Sequence, residues 1–277
     1  MDVLLLDGYN LLFRSFTSLP DSITDSHDQP INAVYGMLGT IVRLVRERQP
    51  DRVVVAMDEP GTPVFRALLY PPYQAQRGPL GGDRSDDFAR QVTIAGEILP
   101  SVGIAVMSVA GYEADDVMGT LAWRTANEGG RATIVSTDRD LIQLIRKGVQ
   151  VLNPRGEGQL IATEAEAREV FGIAPALIPA YKALAGDASD NYPGIARIGA
   201  KTAAGLVERY GGLDAIFAHL EELAAAARNA LQGRREQAAL FERIATIVTE
   251  LELEGDMPAL GLPDGARPRS ILNEAGY

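Results

Sequence analysis

The sequence predicts an α/β fold in which a mostly parallel central sheet is flanked by helices and followed by a helical annex. Two observations carry that prediction. Short, fully apolar runs alternate with stretches of helical periodicity over the first 150 or so residues, the spacing of βαβ units. Beyond about residue 160 the apolar runs stop and helical patterns follow one another.

The elements can be justified in order. Val3-Leu4-Leu5-Leu6 reads as a strand buried on both faces, ending in Asp7-Gly8. Residues 31–48 place apolar side chains at helical spacing, and Pro50 stops them. A second strand over 52–57 ends in Asp58. From there to Arg84 the chain is rich in Gly and Pro and reads as an excursion from the core. A helix over 86–99, a strand over 104–109, a helix over 113–127 and a strand over 131–135 follow, then a helix at 140–146 and a strand at 149–152. The parallel core and its excursion (about 60–90) make up residues 1–160. The annex, 161–277, carries helices over 163–171 (capped by Thr163), 176–185, 201–210, 213–230 and 235–250, with an irregular tail over 258–268.

Composition removes several classes of function. No cysteine is present among 277 residues, which excludes disulfides, thiolate metal sites and cysteine nucleophiles. His27 and His219 are too few for a histidine-rich metal centre. The opening apolar run is interrupted at Asp7 and no stretch approaches the ~20 residues of a membrane span, so a cytoplasmic protein without membrane contact is expected. The formal charge of −11 argues against a nucleic-acid partner only if it is spread evenly.

It is not spread evenly. Asp7 and Asp58 close strands; Glu113, Asp115 and Asp116 open a helix; Asp138 and Asp140 follow another strand; Asp187 and Asp190 precede an annex turn. Carboxylates at close range raise one another's pKa unless a cation lies between them, and all-oxygen ligands suit Mg²⁺ or Mn²⁺. Each acid also suits a helix cap, and either reading accounts for Asp116 or Asp140 alone. Three carboxylates in four positions exceed what one cap requires. Two divalent ions about 4 Å apart could activate water and stabilise a departing oxygen in phosphoryl transfer. Arg14, Arg66 and Arg77 are candidates for bracketing a phosphate, although arginine is as often a surface or ion-pair residue.

The segment from Gly194 through Gly199 to Lys201-Thr202-Ala203 places two glycines ahead of a helix whose N-terminal amides could bind phosphate. An equally good reading is a helix–helix turn with Ile195 and Ile198 packed inside. It is not a Walker A loop, because Ala200 intervenes before Lys201-Thr202 and no strand precedes.

In this order the segments resemble the 5′ nuclease family, the flap endonucleases and 5′–3′ exonucleases that include the N-terminal domain of bacterial DNA polymerase I. The resemblance rests on Asp7-Gly8-Tyr9-Asn10 with Arg14, Phe65-Arg66 with Tyr73 and Arg77, Gly111 to Asp116, Ser136 to Leu141, and Gly186 to Gly194. It implies a structure-specific, divalent-metal-dependent 5′–3′ exonuclease or flap endonuclease. Asp7, Asp58, Glu113, Asp115 and Asp116 would form a tighter metal cluster, with Asp7 and Asp116 catalytic, and Asp138, Asp140, Asp187 and Asp190 a looser one. Arg14 and Arg66 would lie near the scissile phosphate, with Arg77 close by. Gly194, Gly199, Lys201 and Thr202 would grip duplex backbone in a helix–three-turn–helix (about 177–210), with K⁺ on backbone carbonyls. The excursion at 60–90 would be an arch for a single-stranded 5′ end. The implied partners are DNA with a 5′ flap, nick or free 5′ end and RNA–DNA hybrids, bound by a monomer.

One residue departs from the family pattern. Gln74 follows Tyr73 where the family has lysine, and an uncharged amide cannot supply a lysine's electrostatic stabilisation. The expectation is a nuclease weakened or re-tuned at this position. The rival readings are a junction-binding protein with little cleavage, motivated by Gln74, and a metal-dependent ribonuclease.

Overall fold

The computed structural model describes the chain apart from residues 60, 77–82, 157, 256 and 264 and the side chain of residue 83. Five parallel strands, β1 (Asp2–Asp7), β2 (Arg52–Ala56), β3 (Ala105–Met107), β4 (Arg131–Val135) and β5 (Val149–Asn153), are joined by a short antiparallel edge strand β6 (Gln159–Ile161). Their order is β3-β2-β1-β4-β5-β6, so β1 is central and the chain reverses direction across the sheet between β3 and β4. The alternation of side chains along each strand sorts them onto two cores. Val3, Leu5, Val54, Ile134 and Val151 face one side, and Leu4, Leu6, Val53, Val55 and Leu152 the other.

The second core is closed by α1 (Gly8–Ser18), α2 (Asn32–Arg48) and α4 (Asp83–Ser101). Short α3 (Phe65–Leu69) precedes the undescribed segment, so the sequence reading of an arch over 60–90 falls partly outside the described residues. The first core lies under α5 (Ala114–Asn127) and runs on without a break into the annex. There α6 (Glu164–Phe171), α7 (Ile178–Ala185), α8 (Ala200–Tyr210), α9 (Leu213–Ala218), α10 (Ala225–Leu231) and α11 (Arg235–Ala245) share it. Among the described residues no helix is long and apolar enough to cross a membrane.

Several elements differ from the sequence reading for identifiable reasons. The helix expected at 140–146 is a single 3₁₀ segment, Asp140–Leu144, since the β4–β5 crossover has only 13 residues to fill. The helix expected over 213–230 breaks at His219, whose Nδ1 meets the Ala215 carbonyl at 2.8 Å and whose ring lies 5.6 Å from Tyr210, an end-capping contact within the turn. The helix expected over 235–250 stops at Ala245. Residues 246–251 instead form an irregular segment tied down by Ile247 N–H on Gln143 and Leu251 N–H on Thr120 of α5. The tail grouped with the annex forms α12 (Pro268–Glu274), which buries Ile271 and Leu272 against α2 on the opposite face of the sheet.

Thr163 caps α6 by accepting the Glu166 N–H, as its position suggests. At the annex turn the two glycines differ. Gly194 has φ 66°, and a Cβ there would stand 2.3 Å from Gly186 N and 2.6 Å from Leu184 O. Gly199 has ordinary φ and open space around it. Gly194→Ala is therefore expected to destabilise by at least about 3 kcal/mol, against about 0.5 kcal/mol or less for Gly199→Ala, measured by urea unfolding.

Candidate active site

The C-terminal ends of β1, β2 and β4 and the start of α5 open on one cleft of about 540 Å³. It is walled by Tyr9, Phe13 and Phe88 on one side and by carboxylates on the other. Both rings pack edge-on against Phe88, with centroids 5.5 and 5.9 Å away. Asp7, Asp58, Glu113, Asp115, Asp138, Asp140 and Asp190 all line it. Asp187 lines a neighbouring cavity of about 490 Å³ that shares Asp138 and Asp140.

Each acid is held by its own local geometry. Asp7 caps α1, accepting the Asn10 N–H at 3.0 Å and the Ser136 hydroxyl at 2.8 Å. Asn10 in turn is hydrogen-bonded to Thr137, which ties α1 to the end of β4. Asp58 accepts the Ala114 N–H at 2.8 Å. Glu113 is the N-cap of α5 and takes Arg66 at 2.7 Å, the Tyr73 hydroxyl at 3.1 Å and Gln74 at 3.2 Å. Asp138 accepts the Asp140 N–H at 2.8 Å. Asp140, Asp187 and Asp190 each offer an oxygen within 4.8 Å of the others. Asp115 makes no hydrogen bond or ion pair among the described residues.

Electrostatics mark Asp7, Glu113 and Asp115 as under-neutralised by the described residues around them. Burial pushes Asp7 up to about 6, against the hydrogen bonds from Asn10 and Ser136, with Asp58 and Asp138 adding to the rise. Burial lifts Glu113 to about 7, with Arg66 opposing and Asp116, Asp58 and Asp190 reinforcing. Asp115 is raised well above the carboxylate range by burial and then by Asp138, Asp7 and Glu113. The donor set is entirely hard oxygen, and Asp115 lacks a donor among the described residues, so these residues fit divalent cations of the Mg²⁺ or Mn²⁺ kind.

A pH dependence follows. Carboxyls whose folded pKa is raised bind more protons folded than unfolded, so their contribution to stability falls as pH rises from about 4 through 7. In EDTA the melting temperature should fall between pH 5 and pH 8 by several degrees, and saturating Mg²⁺ should recover the loss at pH 8. Thermal melts in the two buffers check this.

The structure separates Asp116 from the cleft lining and joins it to Arg66, which does line the cleft. Asp116 is fully buried, and its oxygens receive Arg66 at 2.6 and 2.7 Å, the Glu113 N–H at 3.1 Å and the Val248 N–H at 2.8 Å. Arg66, 3% exposed, spends its remaining donors on Glu113 and on the carbonyls of Ile244 and Thr246. All five guanidinium protons are engaged within the protein. Burial works against the Arg66 charge, yet the bond and charge of Asp116, followed by Glu113, hold its pKa above the ordinary value. Asp116, expected among the metal ligands, is out of the cleft lining, and with Arg66 it clamps α5 to α3 and to the irregular segment after α11.

The other basic positions are dispersed. Arg14 is half-buried on α1, one turn beyond Asn10 but outside the cleft lining; burial and the charge of Arg155 lower its pKa. Arg77 lies outside the described residues. Gln74, with φ 51°, donates through Nε2 to Glu113 and to Asp190 at 2.9 Å, bridging the inner and outer acids. Lys201 and Thr202 are exposed in the first turn of α8, while Ile195 and Ile198 are buried beneath the turn. The buried isoleucines agree with the packed-turn reading. Lys182, paired with Asp140 and Asp187, had no part in the sequence reading. Its signal was a lone lysine in an otherwise apolar helix, five residues before Asp187.

A parallel sheet that brings acids from separate strand ends to one cleft, beside a helical annex, defines an α/β protein with a hard-cation site suited to phosphodiester chemistry. Comparison with known proteins makes the assignment particular. The family description "5′–3′ exonuclease, N-terminal resolvase-like domain" matches residues 2–172, and "5′–3′ exonuclease, C-terminal SAM fold" matches residues 173–267. The chain belongs to the 5′–3′ exonuclease family. It is 39% identical over 275 residues to the thermostable DNA polymerase I of Thermus thermophilus, covering 99% of this chain but 32% of that relative, about a third of its length. It is 37% identical over 282 residues to a 5′–3′ exonuclease of Streptomyces coelicolor, covering 97% and 93% of the two chains. The fold is shared with the T5 5′-exonuclease bound to zinc (TM-score 0.73, 21% identity, 88% and 89% covered). It is also shared with the catalytic core of Rad2 in complex with DNA (TM-score 0.61, 15% identity, 98% and 86% covered).

Proposed function

We propose that this chain is a structure-specific 5′ nuclease that hydrolyses DNA phosphodiesters at a 5′ flap, nick or free 5′ end. The observation that carries the reading is the convergence of seven carboxylates on one cleft, with Asp115 lacking any protein donor among the described residues. Asp7, Asp58, Glu113 and Asp115 would hold one Mg²⁺ or Mn²⁺, and Asp138, Asp140, Asp187 and Asp190 a second. When bound, such ions activate water and stabilise the departing 3′ oxygen.

The protein's own groups prepare the reaction. Ser136 and Asn10 orient Asp7, Tyr73 and Arg66 orient Glu113, and Phe13 with Tyr9 offers an apolar wall to an unpaired base. Gly194, Gly199, Lys201 and Thr202 would meet the duplex backbone, with K⁺ on the turn's carbonyls. Arg14 would face a phosphate at the rim, with Arg77 nearby, and the segment around 60–90 would arch over the 5′ end. RNA–DNA hybrids are further substrates of the reading, which takes the protein as a cytoplasmic monomer with a core over 1–160 and an annex over 161–277.

The test is a cleavage panel in Mg²⁺ and Mn²⁺ on 5′ flaps, nicked and blunt duplex, RNA–DNA hybrids and single-stranded RNA. Products from flaps or 5′ ends support the reading. Tight junction binding without products would favour a binding protein, and cleavage of single-stranded RNA alone would favour a ribonuclease. Gln74 adds one expectation. Gln74→Lys should raise turnover by about 10²-fold, since a charge placed where a phosphate develops negative charge is worth that much; equal turnover in single-cycle kinetics would show that the amide weakens nothing.

A further inference from the structure

Lys182 sits on α7 with 7% of its surface exposed, between the buried Ala180, Ala183 and Leu184. A lysine is rarely buried without a partner, and this one has two: its Nζ pairs with Asp140 and with Asp187. Those acids, with Asp190, form the group whose oxygens lie within 4.8 Å of one another. The rest of the group is also committed. The other Asp187 oxygen accepts the Ser189 N–H at 2.7 Å and the Asp190 N–H at 3.3 Å, and Asp190 accepts Gln74. Asp7 and Asp115 contrast with this arrangement, because among the described residues no cation pairs with either, although Glu113 beside them has Arg66.

We propose that Lys182 is a built-in counter-cation of the outer carboxylates, holding Asp140 and Asp187 together in the absence of metal, so that a divalent ion enters there only by displacing the ammonium. The proposal rests on the cleft being a divalent-metal site and adds a reason for two unequal affinities. Asp7 and Asp115, which no cation pairs with among the described residues, need an external cation to offset their repulsion; Asp140 and Asp187 carry their own. Lys182 is thus a positioning residue that sets how tightly the outer group takes metal. Its ammonium is a point charge on a flexible stem, suited to swinging aside as no rigid arginine fork would be.

The experiment measures Mn²⁺ binding to the full chain by calorimetry without DNA, in wild type, Lys182→Met, Lys182→Arg and Asp115→Asn, with thermal melts in EDTA and in Mg²⁺. Lys182→Met should tighten the weaker Mn²⁺ site at least tenfold. It should also melt lower than wild type in EDTA and recover in Mg²⁺, whereas Lys182→Arg, which keeps the charge on a fork less able to swing aside, should weaken that site below wild type. Lys182→Gln carries the same expectation as Lys182→Met should the latter not fold. An unchanged weaker site, or a loss of stability equal in EDTA and in Mg²⁺, would overturn the proposal while leaving the metal reading intact. Wild type that binds no Mn²⁺ would overturn both.

Discussion

Asp115→Asn should lower metal-dependent cleavage by about 10³-fold and leave the metal-free protein as stable as wild type or more so. Asp115 opens into the cleft from the first turn of α5, with Asp138, Asp7, Glu113 and Asp140 as its nearest charges. Asparagine keeps the shape and removes one negative charge, so it relieves repulsion in the apo protein while deleting an oxygen of the proposed metal site. The two effects have opposite signs, which separates loss of function from loss of fold. Single-turnover cleavage of a 5′ flap and melts in EDTA measure them. Cleavage within tenfold of wild type would remove Asp115 from the reaction.

Arg66→Met should cost about 3–5 kcal/mol, because breaking a buried pair leaves a charge without compensation. Asp116 would keep only the N–H groups of Glu113 and Val248, and the carbonyls of Ile244 and Thr246 would lose their donor. Arg66→Lys should recover little, since one ammonium cannot span a carboxylate, a second carboxylate and two carbonyls. Removing both charges in Arg66→Met with Asp116→Leu should be less damaging than the sum of the two single changes. Urea unfolding of the four proteins checks this, and a loss under about 1 kcal/mol in Arg66→Met would show that the clamp is not what joins annex to sheet.

These two residues show how far the sequence reaches. The strands, most helices and the strand-end acids were legible because they depend on local periodicity and on carboxylates placed where strands stop. Asp7, Asp58, Glu113 and Asp138 therefore meet as their positions suggest. The shorter elements were not legible. β6 and α12 are three and seven residues long, and each exists because of what it packs on. The role of Lys182 is not legible in the sequence because its partners, Asp140 and Asp187, come from 42 residues before it and five after.

What the amino-acid order determined by itself is the parallel sheet, the succession of acidic segments and hence the family. A two-residue strand period and a strand end need no distant partner to be recognised. What only the tertiary structure decided is which neighbours in the sequence turn toward the cleft. Asp115 and Asp116 are adjacent, but successive residues on a helix point about 100° apart. One therefore faces the other acids and the other faces Arg66 in the core, a choice made by how α5 lies against α3 and the chain after α11.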